Sequence, residues 1–449
     1  MQGGTPSDSQ DDLAITLGVE EEFFLVDPAS RDLLADPDIR IFETAAAHSG
    51  PHEISRELLR TQVEAISRVC ATVAEVRAAL LETRRVVTQA AETYGAAVMA
   101  ASTHPFAAWR AQATTPRERY ERFTTTYQES VRRFLIGGMH VHAGFGDPDE
   151  RVRVMTAMRR YLPLIHALST NSPFNGGHDT GFKSYRLNLV GNLPRTSLPG
   201  PLWSRAEYDR LVADYRRMDF ITDGSELWWD IRPSHAHPTI EMRICDVCTR
   251  IDDAMCIVAI YASLVRRLLR RHRDGALPPE PPTEIIAENR WLAQRYGVLA
   301  FFGDERGGGR KDISDLTDEL VEDLADDARA LGCEPELRHA RTIIREGSGA
   351  DRQLDLYRLR RLEGDAREEA LRRVVDLVLT ETRASAAHAW HAAAPDGGPA
   401  LPSYKHHTHH DCPYLQRVVR PQPERLREGT GGLEQCWHCQ HERGDPLTS

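Results

Sequence analysis

The chain has 449 residues, 41% hydrophobic and 27% charged, the balance of a folded globular protein. Its formal net charge of −11 argues against a nucleic-acid-binding surface as its main business. No apolar run reaches the roughly 18 residues of a membrane span, so neither a nucleic acid nor a membrane is an expected partner.

Residues 1–12 are polar, lack the apolar core of an export signal and read as a disordered leader, which makes the cytoplasm the default address. Eight cysteines in so long a chain without an export signal are expected as thiols rather than as a disulfide framework. Residues 14–26 predict a strand that turns at Asp27-Pro28. Between Thr72 and Tyr94, apolar Val73, Val76, Leu80 and Val87 recur at helical spacing, and Gly95 ends the helix. A short strand at 97–102, a helix at 116–134, a strand around His140 and a helix at 150–168 follow. Residues 171–195 are dense in Asn, Gly, Ser, Lys, Arg and Pro and predict a long functional loop. Two strands, 227–231 and 239–246, are joined by a His- and Pro-bearing turn. From Asp252 onward the pattern is helical, with candidates at 252–272, 283–296, 313–331, 335–346 and 364–390. Strands and helices early, then mostly helices, give an α+β fold.

Three of the strands carry pairs of polar groups two residues apart. Glu20 and Glu22, His140 and His142, and Glu241 and Arg243 each share a face, because strand side chains alternate with period two. Alone, the Glu run reads as a solvated edge, the His pair as structural and Glu241 with Arg243 as a surface pair. Three together, beside Glu57 and Glu64, predict one sheet with a charged face, and such a face is costly unless it holds something. Carboxylate oxygens suit divalent cations, and Mg²⁺ in particular keeps waters and binds beside substrate phosphates. Arg243 offers a planar fork for phosphate, and Lys183 and Arg186 in the long loop are placed to neutralise a triphosphate. The seven-residue spacing of Glu57 and Glu64 fits a helix face or a strand interrupted by a bulge. Neither a P-loop nor a dinucleotide-binding glycine fingerprint is present, so a nucleotide site must lie on the sheet face itself.

These segments carry a resemblance. Gly18-Val19-Glu20-Glu21-Glu22-Phe23, Gln62-Val63-Glu64, Gly138-Met139-His140-Val141-His142, Ser184-Tyr185-Arg186, and Trp229 to Pro233 followed by Thr239 to Asp246 together resemble the glutamate–cysteine ligase type 2 family, the carboxylate–amine ligases, over about residues 14–390. The resemblance implies a curved antiparallel sheet of glutamine-synthetase type whose concave face holds ATP and Mg²⁺, with a mostly helical C-terminal half. It implies metal ligands at Glu20, Glu22, Glu64 and Glu241, with Glu57 a further candidate, His140 on metal or phosphate, and Arg243 on phosphate. The implied reaction joins an amino-acid-like carboxylate to an amine through an acyl phosphate. The alternative is a non-catalytic nucleotide- or amino-acid-binding protein of the same fold. Which carboxylate and which amine, and whether the chain forms a homo-oligomer, are open at this stage.

The organisation expected is a ligase domain over 13–391, an Ala-, Pro- and Gly-rich linker over 392–402 and a Cys/His-rich tail over 403–449. Cys436-Trp437-His438-Cys439 has zinc-ligand spacing. A Zn²⁺ site from Cys412, Cys436 and Cys439 with His409 or His441 is one reading of the tail, and an unordered segment is the other; a tail of either kind is a candidate for docking a protein or carrier. Cys245-Asp246-Val247-Cys248 ends an apolar strand, lacks a partner pair and reads as structural.

Overall fold

A computed structural model of the chain describes residues 13–305 and 308–387. Seven strands make the central sheet: β1 (Thr16–Val26), β2 (Glu53–Arg56), β3 (Gln62–Ile66), β4 (Ala97–Met99), β5 (Met139–Gly144), β6 (Ile231–Pro233) and β7 (Thr239–Met242). Their order is β6-β7-β5-β1-β3-β2, with β4 pairing the far end of β1, and every pairing is antiparallel. The fold is α+β, as the run of elements predicts.

Period-two alternation sorts the sheet into two unlike faces. Val19, Phe23, Val63, Val141 and Met242 point to one side and are almost wholly buried. The long helices Val73–Thr93 and Ile251–Arg273 pack on that side. Each such side chain contributes about 1.5–3 kcal/mol on leaving water, so this face anchors the register of the other. The first helix starts where the sequence places it, with the Thr72 hydroxyl accepting from the Glu75 amide. Glu21 also points into the apolar side. It is fully buried against Arg84, whose Nε lies 2.8 Å from Oε2 and whose remaining N–H groups donate to the carbonyls of Cys248 and Thr249.

Several expectations change in detail. The helix expected over 116–134 is two, Glu118–Tyr127 and Glu129–Arg132, broken at Gln128 with φ +49°. The helix at 150–168 is divided by a tighter turn at Arg159–Tyr161. Three helices carry weak signals in the sequence: Ile39–Ala47, Arg205–Arg217 and Gly349–Leu362, the last opened by a reciprocal Ser348–Asp351 cap. Cys70, Cys245, Cys248, Cys256 and Cys333 are buried free thiols, in keeping with their structural reading. Among the described residues no helix is long and apolar enough to cross a membrane. The linker and the tail, with Cys412, Cys436 and Cys439, lie outside the described residues.

Candidate active site

The other face of the sheet is the charged one. Glu20 lies opposite His140 on β5, Glu22 opposite Glu64 on β3, and His142 opposite Glu241 on β7. Cross-strand partners point the same way, so the register alone gathers these six side chains on one surface. The spacing of Glu57 and Glu64 comes from neither a helix nor a bulged strand. They belong to a hairpin, with Glu57 just past the end of β2 and its amide 3.4 Å from the Gln62 carbonyl.

Two acid groups form. Glu22, Glu57 and Glu64 bring one carboxylate oxygen each within 4.8 Å of one another, and Glu20, Glu241 and a ring nitrogen of His142 do the same. Their electrostatics differ. In the first group burial, then the charge of Glu57, pushes the Glu22 carboxyl up to about 7, against Arg186 and Arg243. Glu64 is raised well above the carboxylate range by burial and by Glu57, Glu20 and Glu22. These are carboxylates short of countercharge, the condition a divalent cation relieves. In the second group burial also disfavours the charge on Glu20, but hydrogen bonds from His140 and His142 outweigh it and hold the carboxyl below its usual range. Glu241 is likewise held low, burial being outweighed by Arg243 and Arg232.

The tautomers follow from the hydrogen bonds. Ionised Glu20 can only accept, so His140 Nδ1 donates to Oε2 at 2.9 Å and His142 Nε2 donates to Oε1 at 3.1 Å. Burial and the charge of Arg243 push His140 down to about 4, so it is neutral at pH 7. Its Nε2 therefore carries a lone pair. That atom suits a metal ion or an N–H donor and is mismatched to a phosphate oxygen.

Arg243 stands one residue past β7. Its amide and that of Ile244 both donate to the Asp230 carbonyl, at 2.7 and 3.1 Å, which turns the chain out of the ladder. Its guanidinium folds back onto Glu241, which Arg232 also holds through Nε at 2.8 Å. Arg186 begins the short helix Arg186–Val190, and it donates to the carbonyls of Ile244 and Arg243. Its Nε is buried without a hydrogen-bond partner among the described residues. Room for it comes from Gly138, where a Cβ would stand 2.4 Å from Arg186 Nη2; the Gly138 amide donates to Glu22 Oε2 at 2.8 Å.

Lys183 does not join this set. Its Nζ is 2.7 Å from Asp351, and the side chain is buried. The loop that carries it is no loose strap. Asp246 takes hydrogen bonds from the Asn171 amide and the hydroxyls of Ser172 and Ser184 at 2.7–2.9 Å, fixing the start and the middle of the segment. The Ser234–Pro238 turn between β6 and β7 brings the His237 ring 6.1 Å from that of His142. Side chains absent from the candidate set also meet here: Arg232, His142 as a partner of Glu20, and Tyr120, whose hydroxyl donates to Glu57 at 2.6 Å. For the first two the period-two rule was the available signal. For Tyr120 the sequence held none.

A cavity of about 720 Å³ opens over this surface, lined by Glu22, Glu57, His140, Arg186 and Arg243 among others. Its size is that of a small-molecule site.

Known proteins share this architecture. The family model described as glutamate–cysteine ligase family 2 matches residues 16–377. A protein of Rhodospirillum rubrum with the provisional name glutamate–cysteine ligase 2 is 45% identical over 372 residues, 82% of this chain and 96% of its own. One of Chloroflexus aggregans with the same name is 33% identical over 384 residues, 84% and 94%. Among solved structures, the glutamate–cysteine ligase of Francisella tularensis in complex with AMP matches with a TM-score of 0.57 at 11% identity, covering 83% of this chain and 91% of that one. The bifunctional glutathione synthetase of Pasteurella multocida matches at 0.60 and 12%, covering 82% and 53%. The two structures share the fold; the extent of the family match decides membership. The chain belongs to glutamate–cysteine ligase family 2.

Proposed function

We propose that the protein is an ATP-dependent carboxylate–amine ligase that joins a glutamate-type carboxylate to an amine such as that of cysteine, through an acyl phosphate. The observation that carries this reading is the meeting of the Glu22, Glu57 and Glu64 carboxylates on the charged face with two guanidiniums, Arg186 and Arg243, which line the cavity together with Glu22 and Glu57. Phosphoryl transfer asks a protein for positioning and charge compensation. The names of the relatives and the AMP in the Francisella tularensis structure support an amino-acid and adenine-nucleotide pair of substrates.

Glu22, Glu57 and Glu64 fit a Mg²⁺ ion, and Glu20 and Glu241 gather a second pair of carboxylates beside a ring nitrogen of His142. Bound there, Mg²⁺ would screen charge on the phosphate oxygens. The chain's own groups do the rest. Arg243, steadied by Glu241, offers N–H donors to the transferring phosphoryl group. Arg186, tethered to two carbonyls, has its buried Nε left to donate. A carboxylate oxygen attacks the γ-phosphorus, and the bond to the bridging oxygen of ADP breaks. The amine nitrogen then displaces phosphate, which leaves with one oxygen of the original carboxylate. The complete carboxylate set favours turnover over a merely binding relative of the fold.

Purified protein given ATP, Mg²⁺ and pooled amino acids should release phosphate only when carboxylate and amine are both present. Glu64→Gln should lower kcat by about 10²-fold or more with the fold intact. Near-normal turnover in the folded variant would remove the acid face from the mechanism.

A further inference from the structure

The outer part of the cavity carries charge that this chemistry does not use. The helix Glu118–Tyr127 presents Arg119, Arg122, Phe123 and Thr126 to it. Spacings of three, four and seven residues mark one face of a helix. Arg216, from the helix Arg205–Arg217, adds a third guanidinium to the lining. Among the described residues, the side chains of Arg119, Arg122 and Arg216 make no hydrogen bond or ion pair, and Arg119 lies within range of the charge of Asp223. Among the described residues, the acids at the same rim make no hydrogen bond or ion pair with them. Asp223 accepts from the Ser225 amide, and Glu226 accepts from the Thr222 amide and lies 3.9 Å from Arg195; Asp219 alone is uncommitted. An arginine on a solvated surface needs no account. Three without partners around one cavity, in a chain of net charge −11 that pairs most of its arginines, do.

The helix that carries two of them lies at the surface. None of its residues is buried, and it ends at Gln128 in a backbone conformation rare for a side-chain-bearing residue. It is attached by the Tyr120 hydroxyl on Glu57, by the Tyr127 hydroxyl accepting from Arg195 at 2.6 Å, by edge contacts of Phe123 and Tyr127 with Trp228 at 5.2 and 5.5 Å, and by packing of Tyr120, Phe123 and Tyr127 against the apolar cluster that holds Phe24 and Leu58. One end of this helix is therefore tied to the acid group and its open face is basic.

We propose that Arg119, Arg122 and Arg216 form an anion-recognition subsite at the cavity mouth, with Tyr120 coupling its occupation to Glu57. The ligand chemistry is an anionic oxygen cluster. Its two sources are the phosphate chain of the nucleotide and a free carboxylate of the amino-acid substrate. Naming these sources rests on the ligase reading; the subsite itself does not. Guanidinium groups bind both through paired N–H donors.

Calorimetric titration of the full chain with ATP in Mg²⁺, with inorganic tripolyphosphate and with L-glutamate tests this directly. The double variant Arg119→Gln/Arg122→Gln should bind the recognised anion about tenfold or more weakly, with unchanged melting temperature, since both side chains are exposed. Loss on ATP and tripolyphosphate together identifies phosphate, and loss on glutamate alone identifies carboxylate. The Lys/Lys variant should recover part of the affinity and keep its salt dependence. Wild-type protein that binds none of the three, or a Gln variant within about twofold of wild type on all of them, overturns the proposal. Unaltered binding with normal amide formation would leave the ligase reading intact; arginine-dependent binding without turnover would leave the subsite and remove the ligase reading.

Discussion

Glu22 shows how one residue reports on the site. Its carboxyl is pushed up to about 7 from an ordinary 4.5, so its folded value exceeds its unfolded one. The sign follows. The group favours the folded state fully below about pH 4.5 and loses that contribution as pH rises to 7, where the fold must hold a buried charge. A cation in the Glu22, Glu57 and Glu64 group reverses the loss and releases protons as it binds. Mg²⁺ should therefore raise the melting temperature more at pH 8 than at pH 5.5, and Glu22→Gln should flatten that difference; scanning calorimetry at the two pH values reads it. Gly138 gives a second prediction. Its α-carbon lies under the Arg186 guanidinium, and alanine there would force Nη2 away from 2.4 Å. Gly138→Ala should cut kcat by about tenfold or more, with a smaller change in stability, as loss of one charge-assisted contact to the reacting group would. Glu20, Glu22, His140 and Glu241 were legible because strand alternation needs no knowledge of the fold. The split of the carboxylates into one compensated and one uncompensated group was not, because Arg232, His142 and Tyr120 reach them from β6, β5 and a separate helix.

Elements hold these residues at the right angle. The departure of the chain at Arg243 depends on Asp230, whose carbonyl takes two amides and whose carboxylate is held by Arg290 at 2.6 and 2.9 Å. Arg290 lies on the helix Thr283–Tyr296, remote in sequence from the sheet. Arg290→Met should destabilise the protein by about 3 kcal/mol or more in chemical denaturation, since it leaves a buried carboxylate without its partner. A loss of less than about 1 kcal/mol would show that water replaces the arginine. Regular elements with strong periodicity, such as Val73–Thr93 and Ile251–Arg273, were readable almost to the residue. Gly349–Leu362 was not, because its buried residues cluster in its first turns and the rest alternates without a stripe. The segment 171–195 reads as a loop by composition, yet its polar side chains are the ones Asp246 binds; polarity there marks a buried network rather than exposure.

At the scale of the molecule, one sheet separates two environments. Its apolar side is sealed by helices and holds a buried pair, Glu21 with Arg84, satisfied by two further carbonyls. Its charged side is left open to the cavity. The division was visible in the sequence as alternation. In the proposed reaction this open face transfers a phosphoryl group to a carboxylate before an amine arrives. Oxygen-18 placed in the carboxylate substrate, with the released phosphate examined by mass spectrometry, tests it most directly. One labelled oxygen in phosphate, with ADP as the nucleotide product, is the predicted result; unlabelled phosphate, or AMP with pyrophosphate, would contradict it.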